Sequence, residues 1–178
     1  MVVLGLLLLA ACFGLVWQAV RRWFPRTTSA AYLLAVAAVV LGGQLYYLLV
    51  RPYIYEYAIL CGAALLMLGL WLWLSAANTP VEKRGALLVR LAFGSLFVAL
   101  VAGCRPQMEL FAFLAVPIFW QRYIGQKRLR SRAGVGEAAA FILPVVVVAA
   151  GLMWYNAARF GSLFDFGANY NLTSNDMT

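Results

Sequence analysis

Long apolar stretches govern what this chain can fold into. They fall at roughly 1–20, 29–50, 57–76, 87–104, 107–121 and 136–155, separated by short polar and basic groups. A helix rises about 1.5 Å per residue, so about 20 apolar residues cross the roughly 30 Å hydrocarbon layer of a bilayer. Within that layer a helix satisfies its own backbone hydrogen bonds segment by segment. The spacing predicts an all-α, polytopic transmembrane bundle of about six helices over 1–155. An extracytoplasmic loop or tail is expected over 156–178. A soluble domain needs charge at roughly a quarter of its positions. Here 11% of residues are charged, 65% are apolar and the mean hydropathy is +0.87. The 107–121 segment is short, and is expected to tilt little or to start at the interface. Trp23, Tyr46, Tyr47, Trp73, Trp120, Tyr123, Trp154 and Tyr155 near segment ends fit an interfacial aromatic belt.

The formal net charge of +8 lies in clusters between apolar runs, where a membrane topology signal explains it better than nucleic-acid binding. No aromatic-basic groove, zinc-type spacing or glycine-rich phosphate loop accompanies it. The chain has no histidine, the commonest general base and metal ligand. Cys12, Cys61 and Cys104 stand far apart in apolar surroundings. They read as small buried hydrophobes, with no disulfide framework or metal cluster. No cofactor is evident, and a divalent-metal requirement is not legible. Leu9-Ala10-Ala11-Cys12 imitates a lipoprotein cleavage box, yet no charge precedes Arg21 and the sequence stays apolar past Cys12, against a cleaved signal.

Alternate connections separate the charges. Arg21, Arg22, Arg26, Lys83, Arg84, Arg90, Arg122, Lys127, Arg128, Arg130 and Arg132 fall on one side, eleven of the fourteen basic residues. The positive-inside bias makes that side cytoplasmic and both chain ends extracytoplasmic. The other side holds Arg51, Arg105 and Arg159 with Glu56, Glu109, Asp165 and Asp176. Each outward turn there pairs an arginine with an acid: Arg51-Pro52-Tyr53-Ile54-Tyr55-Glu56, Arg105-Pro106-Gln107-Met108-Glu109, and Asn156 through Gly167, the last with glycines and three phenylalanines. Proline suits the first position of a helix, so Pro52 and Pro106 are expected to open inward-running helices. Glu56 and Glu109 then sit where the helix dipole favours a negative charge. Arg51 and Arg105 sit where it is unfavourable unless an anion is close. That anion is either the neighbouring glutamate, pinning the helix at the interface, or a ligand phosphate.

These three turns, with Gly103-Cys104-Arg105-Pro106 and above all Asn156-Ala157-Ala158-Arg159-Phe160-Gly161-Ser162, resemble bacterial multi-spanning glycosyltransferases of the GT-C type, similar to protein mannosyltransferases and lipopolysaccharide sugar transferases. The resemblance covers most of the chain. It implies a bacterial inner-membrane enzyme that takes a polyprenyl-phosphate-linked sugar donor at the outer leaflet and inverts the anomeric carbon. Arg51, Arg105 and Arg159, with Glu56, Glu109 and Asp165, are then the expected substrate-binding residues, since a lipid-phosphate leaving group needs cations or helix N-termini. The general base of such enzymes lies in a first outer loop that this sequence does not show, so Glu56 is not equated with it. The expectation is therefore an internal piece of a longer enzyme, inactive alone. A transporter or flippase for an anionic lipid or solute is the second reading; it predicts discontinuous helices or midplane polar residues, for which Gly42-Gly43-Gln44 and Ser95 are mild candidates. A non-catalytic membrane subunit is the third.

Overall fold

Leucine, alanine and valine make up much of the apolar runs, and once charge is absent the backbone has no cheaper way than a helix to satisfy its amides in lipid. The computed structural model describes residues 1–42, 47, 50, 53–128 and 131–165. The fold is all-helical, with α1 (Val2–Trp23), α2 (Ser29–Gly42), α3 (Ile54–Ala77), α4 (Arg84–Cys104), α5 (Ala115–Phe119) and α6 (Arg132–Phe160). Helices α1, α3, α4 and α6 are long and apolar enough to cross a membrane.

The packing fixes directions. Leu8 and Cys12 of α1 cluster with Leu60 and Ala64 of α3, and farther along Arg22 reaches Asn78 just beyond α3, so α1 and α3 run parallel. Helix α2 returns antiparallel, its Tyr32 hydroxyl donating to the Phe13 carbonyl and its Val40 packing on the Leu8 cluster. Helices α3 and α4 make the most extensive contact in the bundle. Arg84, which begins α4, lies beside Gly136, and Gly103 lies beside Leu152. Helix α6 therefore runs parallel to α4, and the chain between them has to return the full length of the bundle.

That return is the Pro106–Gly125 segment, and it is not the regular helix expected over 107–121. Pro106–Leu114 is a 3-10 helix, α5 follows, and Trp120–Gly125 is a π-helix. A 3-10 helix rises about 2.0 Å per residue, so nine residues cover about 18 Å where an α-helix would cover about 13–14 Å. Stretching the first half lets a short apolar sequence span the distance that α4 and α6 cover with longer ones. The 29–50 segment is described as helix α2 to Gly42, and most of its remainder lies outside the described residues. Helix α6 passes the expected limit at 155 and ends at Phe160, so Asn156 and Arg159 are helical. Gly161, with φ of 72°, takes the left-handed cap that a side chain would strain.

Two glycines let α3 and α4 touch. A Cβ on Gly69 would stand 2.5 Å from Val98 Cγ2 and 2.9 Å from the Gly94 carbonyl oxygen, and one on Gly94 would stand 2.6 Å from Trp73 Cδ1. Trp73 is 1% exposed, donates through Nε1 to Ser95 Oγ at 3.1 Å, and stacks on Phe141 at 5.1 Å between centroids. Ser95, a mild midplane candidate by sequence, is thus a satisfied core hydroxyl. The contact makes a sharp prediction. Gly69→Ala forces backbone to move and should cost about 1–3 kcal/mol, read as a lower melting temperature in detergent. Gly151→Ala, where an added Cβ meets nothing within 4 Å, should not lower it. Equal melting of the two variants would refute close backbone packing at Gly69.

Candidate functional site

The end of the bundle that carries Arg105 gathers the polar residues of the start of α3 and of the turn after α4. Arg105 leaves α4 in an extended conformation (φ −152°, ψ 94°), and Pro106 opens the 3-10 helix behind it. Glu56 lies in the first turn of α3 and Glu109 in the first turn of the 3-10 helix, both where free N–H groups favour an acid. The guanidinium of Arg105 lies 3.7 Å over the Tyr55 ring and donates from one terminal nitrogen to the Tyr55 carbonyl at 3.3 Å. Among the described residues no ion pair joins Arg105 to Glu56 or Glu109; the only ones are at the opposite end. Arg105 Nε, Glu56 Oε2 and Glu109 Oε2 are instead buried without a hydrogen-bond partner. Such an atom costs about 1–3 kcal/mol each, and native structures rarely leave three together. Arg51 and Pro52, the first of the three expected turns, lie outside the described residues.

An apolar groove adjoins this cluster. One cavity of about 250 Å³ lies between α4 and α6, lined by Ala99, Ala102, Leu152 and Asn156 and closed by Leu163 and Phe164. A second of about 450 Å³ lies against Trp73, Pro106, Phe113 and Phe141. Glu109 and Val145 line both, so Glu109 is the acid at their junction. Asn156, only 3% exposed, donates through Nδ2 to the Leu163 carbonyl at 3.3 Å and folds the loop after α6 back over the groove. Arg159 does not join it. Its guanidinium donates to the Tyr155 hydroxyl and lies 5.2 Å over the Phe160 ring, exposed on its own helix. Asp165 is half-buried where the described loop ends, and Phe166, Gly167 and Asp176 lie outside the described residues. The structure thus brings Arg105, Glu56 and Glu109 to neighbouring elements and sets Arg159 apart. No group of three or more metal-type ligands is assembled among the described residues.

The opposite end holds a network that the charge count missed. The last turn of α3 presents unpaired carbonyls, which Arg122 and Arg90 approach, while Arg22 takes the Asn78 side chain beside them. Arg122 Nη1 donates to the Thr79 carbonyl at 2.8 Å and lies 3.5 Å from those of Ala76 and Ala77. Arg90 donates to Thr79 Oγ1 at 2.6 Å, and Arg22 donates to Asn78 Oδ1 at 3.0 Å and to the Ile118 carbonyl at 3.2 Å. Cations belong at this negative end of the helix dipole. Beside them Glu137, fully buried near the start of α6, accepts from Arg128 Nε at 3.0 and 3.1 Å and from the Tyr123 hydroxyl at 2.9 Å. Arg122 Nε stands 3.8 Å from the same carboxylate. The hydrogen bond to Glu137 also holds the Arg128 guanidinium above its usual pKa. The available signal was a lone acid in the first apolar turns after a basic run, with Ser131 as a capping residue; the Ser131 side chain does accept from the Gly134 amide at 3.0 Å.

Comparison with family models, curated proteins and solved structures finds no match to this chain. At the Glu137 end each carboxylate oxygen is bonded, which makes the network a structural clasp. Glu137→Gln removes the charge on which Arg128 and Tyr123 converge and should cost about 3 kcal/mol of stability. The check is unfolding in detergent, where Arg128→Gln combined with Glu137→Gln should lose less than the two single losses added. Strict additivity would show that the pair is not coupled.

Proposed function

We propose that this chain is the membrane part of a GT-C-like glycosyltransferase that receives a polyprenyl-phosphate-linked sugar at the extracytoplasmic face of a bacterial inner membrane. One observation carries the reading. An apolar groove ends on Glu109, in the same short turn as Arg105, where a guanidinium N–H and two carboxylate oxygens lack partners. A lipid-linked sugar phosphate offers the complement of each feature. Its phosphate accepts from Arg105, its sugar hydroxyls donate to Glu56 and Glu109, and its isoprenoid chain removes apolar lining from exposure at about 25 cal/mol per Å². Binding needs the Arg105 side chain to leave the Tyr55 ring, a contact worth about 0.5–2 kcal/mol, less than a charge-assisted phosphate bond in a site of low dielectric returns. As the phosphate becomes a leaving group, Arg105 and the nearby helix N-termini stabilise its growing charge. The acceptor-activating carboxylate is not assigned to Glu56. Orientation follows the charge bias, with Arg22, Arg90, Arg122 and Arg128 cytoplasmic.

A transporter reading draws support from the broken Pro106–Gly125 segment, since discontinuous helices line substrate paths in transporters. It is second because the Glu137 clasp closes the other end. Two substitutions test the leading reading in the intact protein. Arg105→Ala should weaken polyprenyl-phosphate binding at least tenfold, about 1.4 kcal/mol; unchanged affinity returns Arg105 to anchoring the helix at the interface. Val145→Trp, which fills the groove, should weaken binding of a long-chain polyprenyl phosphate more than that of a short-chain analogue. An equal effect on both would place the chain elsewhere.

A further inference from the structure

The connection that follows α3 collects positive charge that the chain itself does not balance. Three guanidinium groups converge on its first residues, Asn78 and Thr79. Arg22, from the last turn of α1, donates to Asn78 Oδ1 at 3.0 Å. Arg90, from α4, donates to Thr79 Oγ1 at 2.6 Å, and Arg122, from the π-helix, donates to the Thr79 carbonyl at 2.8 Å. All three acceptors are neutral. Among the described residues the ion pairs of this end go to Glu137 alone, which Arg128 grips and Arg122 Nε approaches only to 3.8 Å. Glu82, in the same connection, is exposed and pairs with none of the three. The end of α3 supplies about half an elementary charge of the opposite sign, too little for three cations. Arg122 shows the shortfall directly. Its side chain is 10% exposed, yet Nε and Nη2, the edge that grips an oxyanion side-on, are buried without a hydrogen-bond partner. Arg22 and Arg90 are half-buried, and each guanidinium carries more N–H groups than the bonds it makes here.

We propose that this end binds the phosphate of an anionic phospholipid headgroup, held by Arg22 and Arg90 with Arg122 as its buried backing. The phosphate oxygens accept from guanidinium N–H groups left over after Asn78 and Thr79 are bonded, and the phosphate charge offsets the surplus of cations. Glu137 Oε2, already bonded by Arg128 and Tyr123, lies on the Nε side of Arg122 and repels an anion there. The two half-buried arginines are therefore the direct donors, and Arg122 adds positive potential behind them.

The location selects a lipid over a dissolved anion. Helix α1 ends at Trp23, α3 ends at Ala77 and α4 begins at Arg84, so the cluster stands where spanning helices leave hydrocarbon for headgroups. Trp23 and Phe24, both exposed, follow Arg22 in the chain, and the Arg22 guanidinium lies 5.4 Å over the Trp23 ring. Aromatic rings so placed sit at headgroup level. The charge bias assigns this end to the cytoplasmic leaflet, whose anionic lipids are attracted by basic groups at the ends of spanning helices. The inference goes beyond the glycosyltransferase reading, uses none of the residues around Arg105 and survives the failure of that reading.

The test titrates the full chain, purified in dodecyl maltoside, with lipid and reads bound lipid by native mass spectrometry. Dioleoylphosphatidylglycerol should bind at least about tenfold tighter than dioleoylphosphatidylcholine, whose choline cancels the phosphate charge. Arg90→Gln and Arg22→Gln should each weaken phosphatidylglycerol binding about fivefold and leave phosphatidylcholine binding unchanged. Arg26→Gln removes an exposed cation of the same end that makes none of these contacts, and should change little. Thermal unfolding in the same detergent shows whether each variant is folded; if one is not, the other decides. Equal affinity for the two lipids would overturn the proposal. So would a loss in Arg26→Gln as large as in Arg90→Gln, which means diffuse attraction without a site. Displacement of phosphatidylglycerol by excess inorganic phosphate would overturn it as well, by making the ligand a dissolved anion.

Discussion

The approach of α3 and α4 across Gly69 and Gly94 is the constraint from which the rest of the bundle follows. Lipid supplies little driving force for two apolar helices to associate, so small residues that let backbones touch decide where they cross. With Gly69 against Val98, Trp73 lies over Gly94 and is held by Ser95. The indole then becomes the floor on which Phe119 and Phe141 stand, at 6.2 and 5.1 Å between centroids. That aromatic group seats both the returning segment and α6. A side chain at either glycine would lift the indole and remove the wall against which the larger cavity is formed.

The returning segment shows how length and hydrogen bonding are reconciled. Pro106–Gly125 must match α4 in reach with fewer apolar residues, and a lipid-facing backbone tolerates no unpaired amide. Opening the first half into a 3-10 helix lengthens it while keeping its amides bonded. The π-helical turn Trp120–Gly125 then turns Arg122 toward the carbonyls that end α3 and Tyr123 toward Glu137. The departure from α-helix at each half thus serves a different need, reach in one and aim in the other.

The helices were legible because each reports itself locally: an apolar run long enough to cross lipid has little choice, and α3 and α4 begin and end within a turn of expectation. Glu109 was legible for the same reason, since a proline and an acid at a helix start form a short-range signal, and Glu56 too falls in a first helical turn. The Glu137 clasp was not. It joins Arg122, Arg128 and Tyr123 from a turn whose path depends on the π-helix, and nothing in the spacing announces that turn. A charge count assigns these residues to a side of the membrane and says nothing of their burial. Arg159 lies apart from the Arg105 cluster: the motif that contains it continues α6 by another turn and turns its guanidinium onto Tyr155.

The two ends of α3 then differ in a way that bears on where chemistry can occur. At its C-terminus, Arg22, Arg90 and Arg122 meet the negative end of the dipole, and Glu137 completes the balance with its oxygens bonded. A ligand for that carboxylate would first have to displace Arg128 and Tyr123, although Arg122 Nε and Nη2 are themselves buried without hydrogen-bond partners. At its N-terminus, Arg105 lies against the positive end of the same dipole and has a ring and one carbonyl for company. The acids that offset it keep buried oxygens without donors. Three unsatisfied buried atoms persist there because the α3–α4 contact holds their elements together. The same helix thus lies beside a carboxylate with both oxygens bonded at one end and two carboxylates with unbonded buried oxygens at the other.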